Sequence, residues 1–505
     1  MTLIYFLLKL NIMYLFNTLT REKERFKPLI ENQVRIYTCG MTVQDSPHLG
    51  HLRTFVFADV LRRFLEFLGY QVIYIQNFTD IDDKIIQKAK EEKVDWRDIG
   101  QRYIDEYFSV SDLMNLKRAN SYPKASQFIL EMIELIQKLL RKGYAYKTRS
   151  GVYFEVEKFP GYGKLSKKKI DELISGVRIE IDEEKKNPLD FALWKSYKEG
   201  EPYWYAPFGR GRPGWHIECS AMAMHYLGET FDIHIGGEDL IFPHHENEIA
   251  QSEAATGKPF VKYFLHNGLL LLKGEKMAKS TKNYFLAKEA LKSYPPDVIR
   301  LFLLKAHYRS PYEFSIERLE EAKSQWQRIK EFFIFAQREK YESKFIVPEK
   351  IVNILLDDLN TPMVIGEIFK MIEEFFKTKD HSLYSPIYSS LKLLGFKLEE
   401  KETLYLKEKD NIEKLVKART IARENKDYNI SDKIRNALNY LGYELRDTNS
   451  ETIYFQKEEK PVKKEEFQKI LNDLKREIEE KLKKEELLYL KEIFQLIKEY
   501  EYGRD

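Results

Sequence analysis

The chain has 505 residues, 43% of them hydrophobic, with 83 lysines and arginines against 80 aspartates and glutamates for a net charge of +3. That length supports roughly three or four independent cores and excludes a small disulfide-stapled scaffold; its 2 cysteines point to a reducing, cytoplasmic setting, where a thiol serves as metal ligand or nucleophile. The near balance of charge excludes nucleic-acid binding by a whole-protein field, so such a partner would need local basic patches.

In chain order, the apolar run Leu3-Ile4-Tyr5-Phe6-Leu7-Leu8 is interrupted at Lys9 with no small-residue cleavage site following. It falls far short of the roughly 20 residues of a membrane span. No membrane partner is expected, and residues 1–16 read as an extension around an alternative start at Met13. Residues 34–38 predict a strand, followed by a loop through His48 and a helix carrying Phe55, Val56, Val60, Leu61, Phe64, Leu65 and Leu68, stopped by Gly69. Residues 71–76 predict a second strand, so the chain opens a Rossmann-like parallel sheet, an α/β fold. Its first half spans 17–120 and its second 212–265, where 231–235 form another strand ending at Gly236-Gly237. Between them, 121–211 reads as an inserted domain with a helix at 128–140 and a strand near 151–156. A loop region at 266–315 leads into almost wholly helical text. Helices are predicted over 316–338, 350–370 and 385–394 in a bundle at 316–405. A small α+β module of two helices and two short strands occupies 406–457, and one charged helix with a one-sided apolar stripe fills 458–505.

Three groups of residues carry chemistry. His48-Leu49-Gly50-His51 sits where a loop enters a helix, so its imidazoles and the helix N–H groups can face polyphosphate together, while Gly50 allows a flat base close to the backbone. Taken alone, the same string also fits a pair of capping histidines. Lys276-Met277-Ala278-Lys279-Ser280 follows a flexible Lys273-Gly274-Glu275, and two ammonium groups there can close on a transferring phosphoryl group. A solvated loop is the competing reading. Cys39, Cys219, His244 and Glu248 supply two thiolates, an imidazole and a carboxylate, a donor set for tetrahedral zinc. His244 and Glu248 lie four apart after Pro243, on one helix face, with an ordinary ion pair as the alternative. His245 is expected to point elsewhere but remains the alternative ligand.

In this order the three groups resemble cysteinyl-tRNA synthetases, a class I aminoacyl-tRNA synthetase family, over about residues 14–456. His48 to His51 is similar to the family's HIGH motif with Leu49 for isoleucine, and Lys276 to Ser280 to its KMSKS loop with Ala278 for serine. The resemblance implies a catalytic domain with a connective insertion, a stem-contact region, a tRNA-binding bundle and an anticodon-binding module. It implies ATP, with Mg2+, held by His48, Gly50, His51, Gly237, Asp239, Lys276 and Lys279, the two histidines and two lysines being catalytic. It implies cysteine bound beside Thr79, from Asn77-Phe78-Thr79-Asp80-Ile81-Asp82-Asp83-Lys84, and Trp215, with one zinc ion recognising its thiol. The implied reaction makes cysteinyl-adenylate and transfers cysteine to tRNA-Cys, by a monomer. Lys414, Lys417, Arg419, Arg423, Lys426, Lys433 and Arg435 are the expected phosphate contacts. Two other readings compete: a ligase of the same fold joining cysteine to an amino sugar, which has no need of the residues beyond 316, and a catalytically silent paralogue, which has no need of the paired histidines and lysines.

Overall fold

The computed structural model describes residues 12–169, 172, 184–277, 284–338, 341, 344–398, 405–447, 452–456, 464–484 and 487–502. They divide into two units, Met1–Trp326 with Glu342–Lys397, and Gln327–Tyr341 with Leu398–Asp505.

In the first unit a hairpin of β1 (Tyr14–Asn17) and β2 (Glu22–Arg25) leads to β3 (Gln33–Thr38), helix α1 (Leu49–Phe67) and β4 (Gln71–Gln76). Val34, Ile36, Tyr37, Val72, Tyr74 and Ile75 are all buried. These strands have little solvated face, which explains why their apolar residues run nearly continuously and why they pair in parallel. Gly69, at φ 91°, ends the helix as expected. Two more helices follow, α2 (Asp83–Glu92) and α3 (Trp96–Leu113).

The insertion begins with α4 (Ile129–Arg141) and forms an antiparallel sheet in the order β5 (Ala145–Lys147), β6 (Gly151–Phe154), β7 (Phe191–Ser196), β8 (Gly211–Pro213). From β8 the chain passes into α5 (Trp215–Leu227), then β9 (Phe231–Gly237), α6 (Glu246–Thr256) and β10 (Val261–Asn267). The parallel sheet has the order β10-β9-β3-β4.

The region 266–315, expected as a loop leading into helical sequence, carries three short strands and two helices among its described residues. β11 (Leu270–Leu272) pairs with β12 (Glu275–Lys276) and, after α7 (Ala287–Ser293) and α8 (Pro296–Leu304), with β13 (Tyr312–Phe314) in parallel. A three-residue strand is too short to display a period. Helix α9 (Ile316–Arg338) matches its predicted limits. The single helix expected over 350–370 is instead two, α10 (Glu349–Leu356) and α11 (Thr361–Thr378), followed by α12 (Tyr384–Leu393). Asp358 and Leu359 take positive φ between them, and the Asp358 carboxylate turns inward to accept from Phe16 N–H at 2.9 Å, Tyr308 hydroxyl at 2.7 Å and Arg309 Nε at 2.7 Å. Asn360 then caps α11.

In the second unit α13 (Tyr405–Glu424) and α14 (Tyr428–Tyr440) precede a hairpin of β14 (Tyr443–Asp447) and β15 (Thr452–Gln456). The charged helix expected to the end of the chain is two helices, α15 (Lys464–Lys484) and α16 (Leu488–Tyr502). The step from Leu482 to Leu487 breaks the three-four spacing of the apolar stripe. Phe467, Leu471, Leu474 and Ile478 of α15 and Leu490, Ile493 and Ile497 of α16 share one core with Ile412, Leu415, Ile430, Ile434 and Leu438.

Candidate functional site

Because β3, β4, β9 and β10 are parallel, their carboxyl ends gather on one edge, where loops supply polar groups. The loops after β3 and β4 are zipped together. Gly40 N–H donates to Asn77 Oδ1 at 2.8 Å, Val43 N–H to the Thr79 carbonyl at 3.1 Å, and Thr79 N–H to the Met41 carbonyl at 3.3 Å. A Cβ on Gly40 would overlap the Asn77 carbonyl oxygen.

Cys39, first residue after β3, meets Cys219 of α5 with their sulfurs 3.8 Å apart, so the two are free thiols. That separation is the edge of a tetrahedron with sulfurs about 2.3 Å from its centre, the usual zinc–sulfur distance. Glu248 Oε1 lies 3.6 Å from the Cys39 sulfur and 2.9 Å from His244 Nε2. The ligand atoms of Cys39, Cys219, His244 and Glu248 all fall within 4.8 Å of one another, and all four residues are buried. Two thiols and a carboxylate in so dry a place make a site that could hold a metal cation. Burial would lift the Glu248 carboxyl, but the facing charges of His234 and His244 draw it down to about 2. The same carboxylate, with Cys219, outweighs burial at His244 and raises it to about 10. Cys219 is lowered to about 6, first by its hydrogen bond with Cys39, whereas burial pushes the Cys39 thiol up.

His245 does not point away, as helical spacing predicts. Its Nε2 stands 3.3 Å from the Cys39 sulfur and its Nδ1 2.7 Å from His266 Nε2. Residues Ile241–His245 form a π-type turn entered through extended Phe242, so the 100° step that separates neighbours in an α-helix does not apply before Glu246. Cys39, His234, His245 and Glu248 therefore make a second close group among the described residues. Gly236 leaves room for the His245 ring, which a Cβ would approach to 2.6 Å. Sequence reasoning missed His234, His266 and Glu218; its one available signal was polar residues inside short, otherwise apolar segments.

At the helix entrance His48 caps α1. His51 N–H donates to His48 Nδ1 and His48 N–H to His51 Nδ1, both at 3.3 Å, and the rings stack 3.7 Å apart. The lysine loop is tied to this point from both sides. Met277 N–H donates to the Leu270 carbonyl, with its own carbonyl facing Gly50, while Leu49 N–H donates to the Phe285 carbonyl and Ala287 N–H to that of Pro47. Lys276 Nζ pairs with Asp239 Oδ2 at 2.7 Å, beyond the end of β9, where Gly237 makes room for the Asp239 side chain. Lys279 lies outside the described residues.

Between these clusters Thr79 donates to Glu218 Oε2 at 2.9 Å, and burial holds the Glu218 carboxyl well above its usual range. Trp215, 39% exposed, lies over the His244 ring at 4.4 Å between centroids.

The model of the family described as tRNA synthetases class I (C) catalytic domain matches residues 25–324. A cysteine--tRNA ligase of Thermodesulfovibrio yellowstonii is 47% identical over 482 residues, covering 88% of this chain and 99% of the relative. Those of Caldicellulosiruptor saccharolyticus and Thermotoga maritima are 46% and 45% identical, covering 86% and 88% of this chain and 98% and 99% of theirs. Among solved structures, Mycobacterium tuberculosis methionyl-tRNA synthetase in complex with methionyl-adenylate has a TM-score of 0.52 at 14% identity, over 72% of this chain and 89% of that one, a likeness of fold alone. Among the described residues no helix is long and apolar enough to cross a membrane.

Proposed function

The chain belongs to the cysteine--tRNA ligase family of class I tRNA synthetases, and from that premise we propose that it activates L-cysteine with ATP and transfers the cysteinyl group to the terminal adenosine of tRNA-Cys. The observation that carries this reading is the meeting, on one edge of the parallel sheet, of a buried Cys/Cys/His/Glu cluster and a stacked histidine pair beside the lysine loop.

We read Cys39, Cys219, His244 and Glu248 as the ligands of one zinc ion. Bound there, zinc would supply a thiophilic centre that accepts a thiolate and takes a serine hydroxyl poorly, so the choice of cysteine needs no editing step. Trp215 closes the pocket over His244, and Thr79 lines it from the opposite loop. The substrate carboxylate is already a nucleophile, so adenylation requires no general base. What the chain must supply is positive charge and hydrogen bonds where phosphate charge develops. His48 and His51 do so at the helix entrance, each held by the other's backbone N–H. Lys276 and Lys279 do so from the loop, with Mg2+ accompanying ATP. Gly237 and Asp239 hold the nucleoside beyond β9.

tRNA is read as engaging the second unit, though through fewer cations than the sequence offers. Arg419 is buried, Lys417 pairs with Glu492 at 3.3 Å, and Lys433 pairs with Glu477. Lys426 and Arg435 are exposed on α13's exit and on α14. We read the enzyme as a cytoplasmic monomer.

Labelled cysteine and purified tRNA-Cys test the proposal, with pyrophosphate exchange run on cysteine and on serine. Charging and exchange with cysteine and not serine are expected. Exchange without charging would replace this reading with an amino-sugar ligase, and neither activity with a silent paralogue.

A further inference from the structure

The two walls of the amino-acid pocket come from distant parts of the chain. Thr79 belongs to the loop that follows β4, and Trp215 opens α5 directly after β8. Near them stands an ionic cluster for which neither the thiol site nor the phosphate site has a use. Arg212, the middle residue of β8, is 3% exposed. Its Nη2 pairs with Asp83 Oδ1, and its Nε with Glu201 Oε2 at 3.1 Å. Lys195 of β7, directly opposite Arg212 in the strand register, reaches the second Asp83 oxygen at 2.8 Å. Burial would lift the Asp83 carboxyl, but Lys195 and Arg212 hold it below the usual carboxylate range, so the cluster is ionic at neutral pH.

The two ends of this cluster are stiffly joined to the two walls. Asp83 is the first residue of α2, whose cap, Asp82, ends the loop that carries Thr79. Downstream of Arg212, Gly214 N–H donates to the Leu193 carbonyl at 2.9 Å, and a Cβ on Gly214 would overlap the Ala192 carbonyl oxygen. The exit of β8 is therefore pressed against β7, and the start of Trp215 has little freedom of its own. Anything that moves β7 and β8 relative to Asp83 moves Trp215 relative to Thr79.

We propose that Asp83, gripped by Arg212 and Lys195, is a positioning clamp that ties the inserted sheet to the β4 loop and sets the width of the amino-acid pocket between Thr79 and Trp215. The proposal rests on the reading of Thr79 and Trp215 as walls of the cysteine pocket. The clamp touches no substrate. It acts through Trp215, and its loss should loosen the fit of the amino acid while leaving the ATP side intact.

The test is pyrophosphate exchange by the full-length, metal-loaded enzyme carrying Asp83→Asn, Asp83→Glu or Trp215→Ala, with KM for cysteine and for ATP measured separately and melting temperature alongside. The Asp83 side chain is 55% exposed, so the substitutions leave no buried hole. Asp83→Asn should raise KM for cysteine about fivefold or more, as expected of a pocket wall displaced by a fraction of an ångström. KM for ATP should stay at the parent value and the melting temperature should fall only slightly, since the buried Arg212 keeps Glu201 as its ionic partner, and Asp83→Glu should recover part of the loss. An unchanged KM for cysteine in Asp83→Asn, with a raised one in Trp215→Ala, overturns the clamp and leaves the pocket reading standing. An unchanged KM in Trp215→Ala overturns the pocket reading, and the clamp with it. Cysteine and ATP constants that shift together with a lowered melting temperature would make the cluster merely structural.

Discussion

Replacing Gly50 with alanine should separate activity from stability. Gly50 is the second residue of α1 and its backbone is helical, so alanine meets no backbone strain there. The cost is local: a Cβ at this position stands 2.9 Å from both Cε1 and Nδ1 of His48, against an ordinary contact of 3.4 Å or more, so the ring must retreat by about 0.5 Å (3.4 minus 2.9). It cannot do so freely, because it stacks on His51 at 3.7 Å and accepts the His51 N–H. Alanine gains up to about 1 kcal/mol of helix propensity over glycine, and a weakened cap costs about the same, so the two nearly cancel and the melting temperature should move by no more than about 2 °C. Phosphate handling has no such compensation. If a 1 Å misplacement costs about a hundredfold, half of that costs about tenfold. The expected result is a pyrophosphate-exchange kcat reduced about tenfold in a protein that melts like its parent. Exchange within twofold of the parent would refute the idea that the His48 ring must sit where Gly50 allows it.

Asp59 accepts from Arg300 at 3.0 Å, Arg63 at 2.8 Å and the Lys117 N–H at 2.9 Å, and although burial would raise its carboxyl, the two arginines hold it below the usual range. A depressed carboxyl contributes stability that is fully present above its unfolded pKa of about 3.9 and disappears as pH falls through the folded value. Asp59→Asn should therefore lose about 3–5 kcal/mol at neutral pH, since Arg300 is left buried and unpaired, and its denaturation midpoint should fall less steeply than the parent's between about pH 4 and 2; a parent-like slope would count against this account. Joint replacement of Glu477 and Glu492 by glutamine should leave folding nearly unchanged, as surface pairs contribute about 0–1 kcal/mol. It should tighten tRNA-Cys binding and steepen the salt dependence by up to about 2 in log–log slope, and unchanged binding would mean that Lys417 and Lys433 do not face RNA. Cys219→Ser should lose its metal on elemental analysis and raise KM for cysteine tenfold or more, whereas a parent-like metal content would remove Cys219 from the ligand set.

What could be seen in the sequence was whatever leaves a local trace. Val34 to Thr38 and Val72 to Gln76 are short apolar runs flanking an amphipathic helix with a glycine stop, and they became paired parallel strands. His48 to His51 advertised a helix entrance because a polar, glycine-bearing tetrapeptide precedes a long apolar face. Features that depend on distant partners left no such trace. The break at Asp358 is forced by Phe16, Tyr308 and Arg309, none of them neighbours in sequence, and β13 exists because Leu270 to Leu272 offers it an edge. The approach of His245 to Cys39 depends on a turn that is not α-helical, which helical spacing cannot anticipate. The amphipathic stripe at the end of the chain was visible, but its partner, the apolar face of α13 and α14, could be identified only in three dimensions.

Cys39 and Glu248 belong to both close groups, so a metal ion bound by either group would use His244 with Cys219 or His234 with His245. Access favours the first. His244 lies beneath the partly exposed Trp215, whereas His234 and His245 are wholly buried and packed around Phe264. A metal seated among them would be sealed from any substrate thiol. The second group is better suited to orienting the first: His234 Nε2 holds the other oxygen of Glu248 at 2.8 Å, and His245 links the Cys39 sulfur to His266, whose Nδ1 meets Thr18 Oγ1 at 2.9 Å. Burial keeps His245 and His266 well below the usual imidazole range, so both are neutral rings able to donate from one nitrogen and accept at the other. Loss of a ligand and loss of a group behind a ligand differ in degree: the first empties the site, while the second weakens affinity about 10–100-fold. His244→Gln should therefore purify nearly metal-free. His245→Gln should keep close to one metal per chain and surrender it to a chelator at a concentration about 10–100-fold lower than the parent requires. The opposite pattern, metal kept without His244 and lost without His245, would move the ion into the inner group and leave Trp215 standing over an imidazole with no metal to present.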